Sequence, residues 1–180
     1  MSVAMILTLR STWMEKQLHG LDKMYRLHKW LGITALVASI LHWWWATGTK
    51  WMVGWGWLAK PARKPSDPQS LPFLEQLFRD QRHLAESVGE WAFYAATVLI
   101  VLALIKRFPY HLFRKVHNWL AVAYLVLAFH TLILTQFSYW LQPIGIIIAL
   151  LLMGGTLSAI LVMTGRVGQG RKAQGVVDSL

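Results

Sequence analysis

The chain has 180 residues, 56% of them hydrophobic and 14% charged, with a mean hydropathy of +0.42 and no cysteine. That apolar content exceeds what a soluble domain of this length carries, so the composition is that of an all-α membrane protein, and the absent cysteines exclude disulfides, iron–sulfur clusters, thiolate haem ligation and C-x-x-C-H haem attachment. The net charge of +10 is accounted for by basic loops between apolar runs, and no soluble basic module remains to bind nucleic acid.

The opening MSVAMILTLR is apolar but too short to span a bilayer, and it has neither the basic start nor the small-residue cleavage site of a signal peptide. Residues 1–10 therefore read as the end of a membrane helix whose first half is not in this chain, and residues 11–165 as a membrane domain. Four runs reach or approach the ~20 residues needed to cross the hydrocarbon core, at about 28–47, 88–105, 116–135 and 143–163. An outer loop, 48–86, follows the first, and six of the eleven tryptophans crowd into residues 43–57 as an aromatic belt. Leu74, Leu77, Phe78 and Leu84 recur near helical spacing and predict a short interfacial helix in that loop. The Gly-rich residues 166–180 read as a linker toward a module that is not in the chain.

Loop charges set the expected orientation. Residues 10–29, up to the start of the first run, carry Arg10, Lys16, Lys23, Arg26 and Lys29; Lys106, Arg107, Arg114 and Lys115 join the second and third, and Arg166, Arg171 and Lys172 follow the fourth. With four spans these regions share one side, taken as cytoplasmic, with the C-terminal tail on it.

Two of the runs share an unusual grammar. HKWLGITALVASILH (28–42) and HNWLAVAYLVLAFH (117–130) each open and close on a histidine, and both run from the inner to the outer side. At 1.5 Å per residue the histidines of one helix lie roughly 20 Å apart, which makes two levels: His28 with His117 inside, His42 with His130 outside. The interval of 14 residues keeps His28 and His42 nearly in line, whereas 13 residues leave His117 and His130 about 140° apart on an ideal helix. Either that helix tightens, or its two histidines serve groups approaching from different directions.

Paired imidazoles facing across a helical bundle suit two stacked b-type haems with His28, His42, His117 and His130 as axial ligands. Gly32 and Ala121, one turn beyond the inner histidines, allow close approach of a flat ring, and Ala38 and Gly48 are small near the outer level. Arg26, Lys29, Arg114 and Lys115 are candidates for the inner propionates, and Lys50, Arg79 or Arg82 for the outer. A single membrane histidine is ordinarily an interhelical hydrogen-bonding contact, but four in two matched pairs with matched flanks call for more. His19, His83 and His111 fall in predicted loops as solvated residues, Trp30 and Trp119 read as belt or core packing, and Glu90 is expected to pair with a nearby Arg or Lys. A divalent-metal or proton pathway would need carboxylates among the histidines, and only Glu90 comes near.

LDKMYRLHKWLGITALVASILHWW together with FRKVHNWLAVAYLVLAFH resembles the transmembrane domain shared by ferric reductases and NADPH oxidases, bacterial members above all. The resemblance extends over about residues 10–165 and implies two haem b groups, the inner on His28 and His117 and the outer on His42 and His130. It further implies electron transfer from FAD and NAD(P)H on a cytoplasmic dehydrogenase module, in the same full-length chain or separate, to oxygen or a ferric chelate outside a bacterial inner (plasma) membrane. The family's core normally has six membrane helices, against four and a fragment in this sequence, and no G-x-G-x-x-G marks a nicotinamide module. The alternative is a stand-alone haem b subunit fed by quinol or a separate flavoprotein and serving a periplasmic reductase.

Overall fold

Proline position divides the helices, because proline is tolerated in a first turn and disfavoured in a helix interior. No proline precedes position 61, Pro72 stands directly before one helix, Pro109 caps another, and Pro143 opens a third. The computed structural model describes residues 1–59, 73–105, 107 and 109–167, apart from the side chains of Tyr110 and Arg114. It consists of α1 (Ser2–Leu7), α2 (Thr12–Gln17), α3 (Leu21–Gly54), α4 (Phe73–Leu104), α5 (Tyr110–Leu134), α6 (Phe137–Trp140) and α7 (Pro143–Met163), with no strand among the described residues. Arg10 and His19 adopt positive φ, 48° and 57°, at the breaks that separate α1, α2 and α3.

Among the described residues, three helices are long and apolar enough to cross a membrane: α4, α5 from His111, and α7. The first expected span, 28–47, lies within the 34 residues of α3. That helix is about 50 Å long and exceeds a hydrocarbon core of ~30 Å, but His28, Lys29, His42 and its tryptophans dilute its apolarity. The interfacial helix expected in the outer loop is not a separate element. Its residues form the first turns of α4, which runs unbroken for 32 residues, and Phe78 meets Phe137 of α6 edge-on at 6.2 Å. Nothing between Phe73 and Leu104 stops a helix, since Gly89 is the only weak helix former of its kind in that stretch. Residues 60–72, most of the expected outer loop's centre, and residues 168–180 of the expected linker lie outside the described residues.

Packing is closest where side chains are small, as in membrane bundles generally. The largest interface joins α4 to α5, and α4 buries Ala85, Gly89, Ala92, Ala96 and Ile100. On its other side α5 meets α7 through Ala121, Tyr124 and Ala159, with Met5 of α1 against them. Gly155 of α7 makes this junction possible, because a Cβ there would overlap the Tyr124 hydroxyl. That hydroxyl is also 3.0 Å from Ser2 Oγ, so α1 is tied to both. Helix α3 is held by α1 and α4 instead of by α5, and a gap separates it from α5. Elsewhere the spans turn apolar side chains outward, Leu150 and Met153 of α7 among them, where lipid replaces protein as the solvent.

Candidate functional site

The gap between α3 and α5 is a cavity of about 410 Å³ walled by α1, α3, α4 and α5. The α5 wall is one helical face, Phe113, His117, Leu120, Ala121 and Tyr124; α3 supplies His28, Lys29, Gly32 and Ile33, and Ile100 and Leu104 of α4 close the side. The rings of His28 and His117 stand across this cavity with centroids 5.8 Å apart and planes at 62°. His28 Nδ1 lies 3.0 Å from the Ala4 carbonyl of α1. A carbonyl only accepts, so Nδ1 carries the proton and Nε2 keeps its lone pair. His117 stacks on Phe113 at 5.1 Å and 19°, and its Nδ1 is buried without a hydrogen-bond partner among the described residues.

At the outer level the two histidines diverge. His130 Nδ1 donates to the Ala85 carbonyl of α4 at 2.8 Å, which again leaves Nε2 free, whereas His42 is exposed on α3. Next to His42, Trp43 stacks on Phe93 of α4 at 5.8 Å and 17°, so this end of α3 leans on α4. Because α5 is α-helical from Tyr110 to Leu134, no local tightening absorbs the 13-residue interval. His117 faces α3 and His130 faces α4, as the ~140° offset requires.

The other expected residues separate in the same way. Gly32, Lys29 and Ala121 line the inner cavity; a Cβ at Gly32 would meet nothing within 4 Å, so it opens onto free space. Arg26 and Lys115 are exposed outside the lining, and the side chain of Arg114 lies outside the described residues. Arg82 is engaged elsewhere: its Nε donates to Glu86 Oε1 at 3.2 Å, one turn along α4. Glu90 has a partner other than the expected cation, accepting from the Tyr94 hydroxyl at 2.6 Å. His83 and His111 sit in helices, both exposed, and not in loops. Trp30 and Trp119 are 60% and 63% exposed and face outward, so neither is core. Ala4, Ala85, Gly89 and Phe113 carry no sequence signal that singles them out, since each acts through a carbonyl, a missing side chain or a neighbour from another helix.

The inner site can be tested against a haem. No group of three or more His, Asp or Glu residues able to hold an ion exists among the described residues. A porphyrin brings four nitrogens of its own and asks the protein for two. With metal–imidazole bonds of ~2 Å and the nitrogen about 1.1 Å from the ring centre, two trans imidazoles place their centroids roughly 6 Å apart. The observed 5.8 Å, the free Nε2 of His28 and the apolar cavity between α3 and α5 fit such a group.

No curated protein and no solved structure shows significant similarity to the chain. A family model does: that of the ferric reductase like transmembrane component matches residues 1–128. The match takes in His28, His42 and His117 and ends two residues before His130. It also includes residues 1–10, so α1, which presents Ala4 to His28, is part of the matched domain. Domains of this family are generally haem-binding membrane domains that work with a flavin dehydrogenase. By a match over 128 of its 180 residues, the chain belongs to the ferric reductase like transmembrane component family, an oxidoreductase-type membrane domain.

Proposed function

We propose that the chain conducts electrons across a bacterial inner membrane, from cytoplasmic reduced flavin supplied by NAD(P)H to an acceptor outside, oxygen or chelated ferric iron, over two haem b groups. His28 and His117 hold the inner one through Nε2, and His42 and His130 the outer. The observation that carries this reading is the pair His28 and His117, facing across a cavity at a separation that suits a six-coordinate iron. Haem iron bound there supplies reversible one-electron chemistry, and two levels are needed because one cannot bridge a core of ~30 Å.

The protein's part is to orient and insulate. Ala4 and Ala85 hold two of the four imidazoles by their Nδ1 protons, which fixes the tautomer and strengthens Nε2 as a ligand. Phe113, Ile100 and Leu104 keep the inner cavity apolar. Lys29 at the cavity edge offers a cation to a propionate, and Arg26, Arg114 and Lys115 lie close by in sequence. A haem held by two of these histidines would supply one-electron transfer without a protein site for substrate on the iron, which suits an acceptor reduced by outer-sphere transfer.

The experiment is the haem content and the dithionite-reduced-minus-oxidised spectrum of the purified chain beside its His42→Ala and His117→Ala variants. Two low-spin b-type haems per chain, with one lost in each variant, is the expected result. A chain that stays haem-free when haem is abundant would sink the proposal.

A further inference from the structure

His28 stands on α3 and His117 on α5, and α3 is held in the bundle by α1 and α4. The place of α1 therefore bears on His28 directly, through the Ala4 carbonyl that lies 3.0 Å from its Nδ1. That carbonyl is available because α1 ends there. The amides of Thr8, Leu9 and Arg10 bond three residues back, to Met5, Ile6 and Leu7. In this tightened last turn Thr8, the α-helical donor for Ala4, is spent on Met5, and Ala4 can accept from another helix. Helix α7 in turn seats α1. Gly154 and Gly155 are neighbours in α7, and each lies under a different part of α1. A Cβ at Gly154 would come 3.2 Å from Cδ1 of Ile6, the far end of a flexible side chain. A Cβ at Gly155 would overlap the Tyr124 hydroxyl and come 3.1 Å from the Cα of Ser2, which is backbone. The same hydroxyl is 3.0 Å from Ser2 Oγ. Neither Ser2 nor Gly155 lines the inner cavity, so either could reach a group bound there only through α1 or Tyr124.

We propose that Gly155 and Ser2 are positioning residues for the inner haem: they seat α1 on α7 and Tyr124, and the seated α1 presents the Ala4 carbonyl that sets the tautomer and ring plane of His28. The inference rests on His28 and His117 holding the inner haem, as proposed above, and on no other haem site. A carbonyl on the Nδ1 proton makes the imidazole a stronger donor at Nε2. A ligand that loses it stabilises ferric iron less, so the midpoint potential rises. By this route α7, which carries no histidine, tunes a haem held by α3 and α5.

Low-spin haem g-values follow the ligand planes, and midpoint potential follows ligand basicity, so both report on the seat of α1. The test uses the full haem-loaded chain, with electron paramagnetic resonance spectra and redox titrations of the wild type, His117→Ala, Gly155→Ala and Gly154→Ala. His117→Ala should remove one haem signal and so mark the inner haem. Gly155→Ala should shift the g-values of that signal and raise its potential, with any other haem signal unmoved. Gly154→Ala should leave the marked signal in place, because the atom it meets can swing aside. If Gly155→Ala leaves the marked signal and its potential unmoved, moves every haem signal alike, or is matched by Gly154→Ala, the positioning role is overturned and the ligand assignment stands. If His117→Ala removes no haem, the inner site fails and this inference with it. Should Gly155→Ala fail to accumulate, Ser2→Ala decides, since it removes the bond to Tyr124 and adds no bulk. Its marked signal should move in the same direction, and an unmoved signal overturns the proposal.

Discussion

Replacing His117 with leucine should act in opposite directions on the haem-free and haem-loaded chain. His117 Nδ1 is buried with no partner among the described residues, and such an atom costs about 1–3 kcal/mol. Leucine removes that cost and keeps an apolar body against Phe113, but loses a stacked ring pair worth about 0.5–1.5 kcal/mol. The balance runs from about 0.5 kcal/mol against leucine to about 2.5 kcal/mol in its favour when haem is absent, at most some seventyfold in the folding equilibrium. With haem supplied the sign reverses, since an axial ligand is gone and one haem per chain is lost. The assay pairs thermal denaturation in detergent of protein from haem-starved cells with haem quantitation of protein from haem-fed cells. A haem-free variant destabilised by more than about 2 kcal/mol would mean that His117 has a structural partner, and retention of both haems would mean that it is no ligand. Either result refutes the reasoning.

The α1–α5–α7 junction offers two more tests. Gly155→Ala should cost about 1–3 kcal/mol by overpacking against the Tyr124 hydroxyl and the ring carbon that bears it, and should cost less in a Tyr124→Leu chain, which lacks both atoms; thermal denaturation of the single and double variants measures this, and purely additive losses would contradict the contact. Ser2→Ala removes the hydrogen bond to Tyr124 and should cost about 0.5–1.5 kcal/mol in the same assay, with both haems kept. Arg82→Ala breaks a pair whose side chains are 58% and 44% exposed, so its stability by thermal denaturation should change by no more than the few tenths of a kcal/mol typical of such pairs, and its haem spectrum should be unchanged. Loss of the outer haem in Arg82→Ala would instead restore Arg82 as a propionate contact.

The sequence by itself determined the solvent and the family. A 56% hydrophobic composition must be paired with lipid, and the histidine-bounded stretches at 28–42 and 117–130 carried the resemblance to the family whose model matches residues 1–128. The family and the span 143–163 were legible for the same reason: each rests on a local pattern that one helix carries alone. Tertiary structure decided what depends on two helices at once. The interfacial helix merged into α4 because no residue between Phe73 and Leu104 stops a helix, and an amphipathic period marks a face without marking where the helix ends. The 13-residue interval was ambiguous until a continuous α5 showed His117 facing α3 and His130 facing α4. Arg82 and Glu90 found their partners one turn along their own helix, where nearby charge in the sequence had suggested others. Ala4 and Ala85 matter only through backbone carbonyls, and Gly155 only through an atom it lacks. A backbone group is the same at every position in a sequence, so which carbonyl meets which imidazole is set by packing alone.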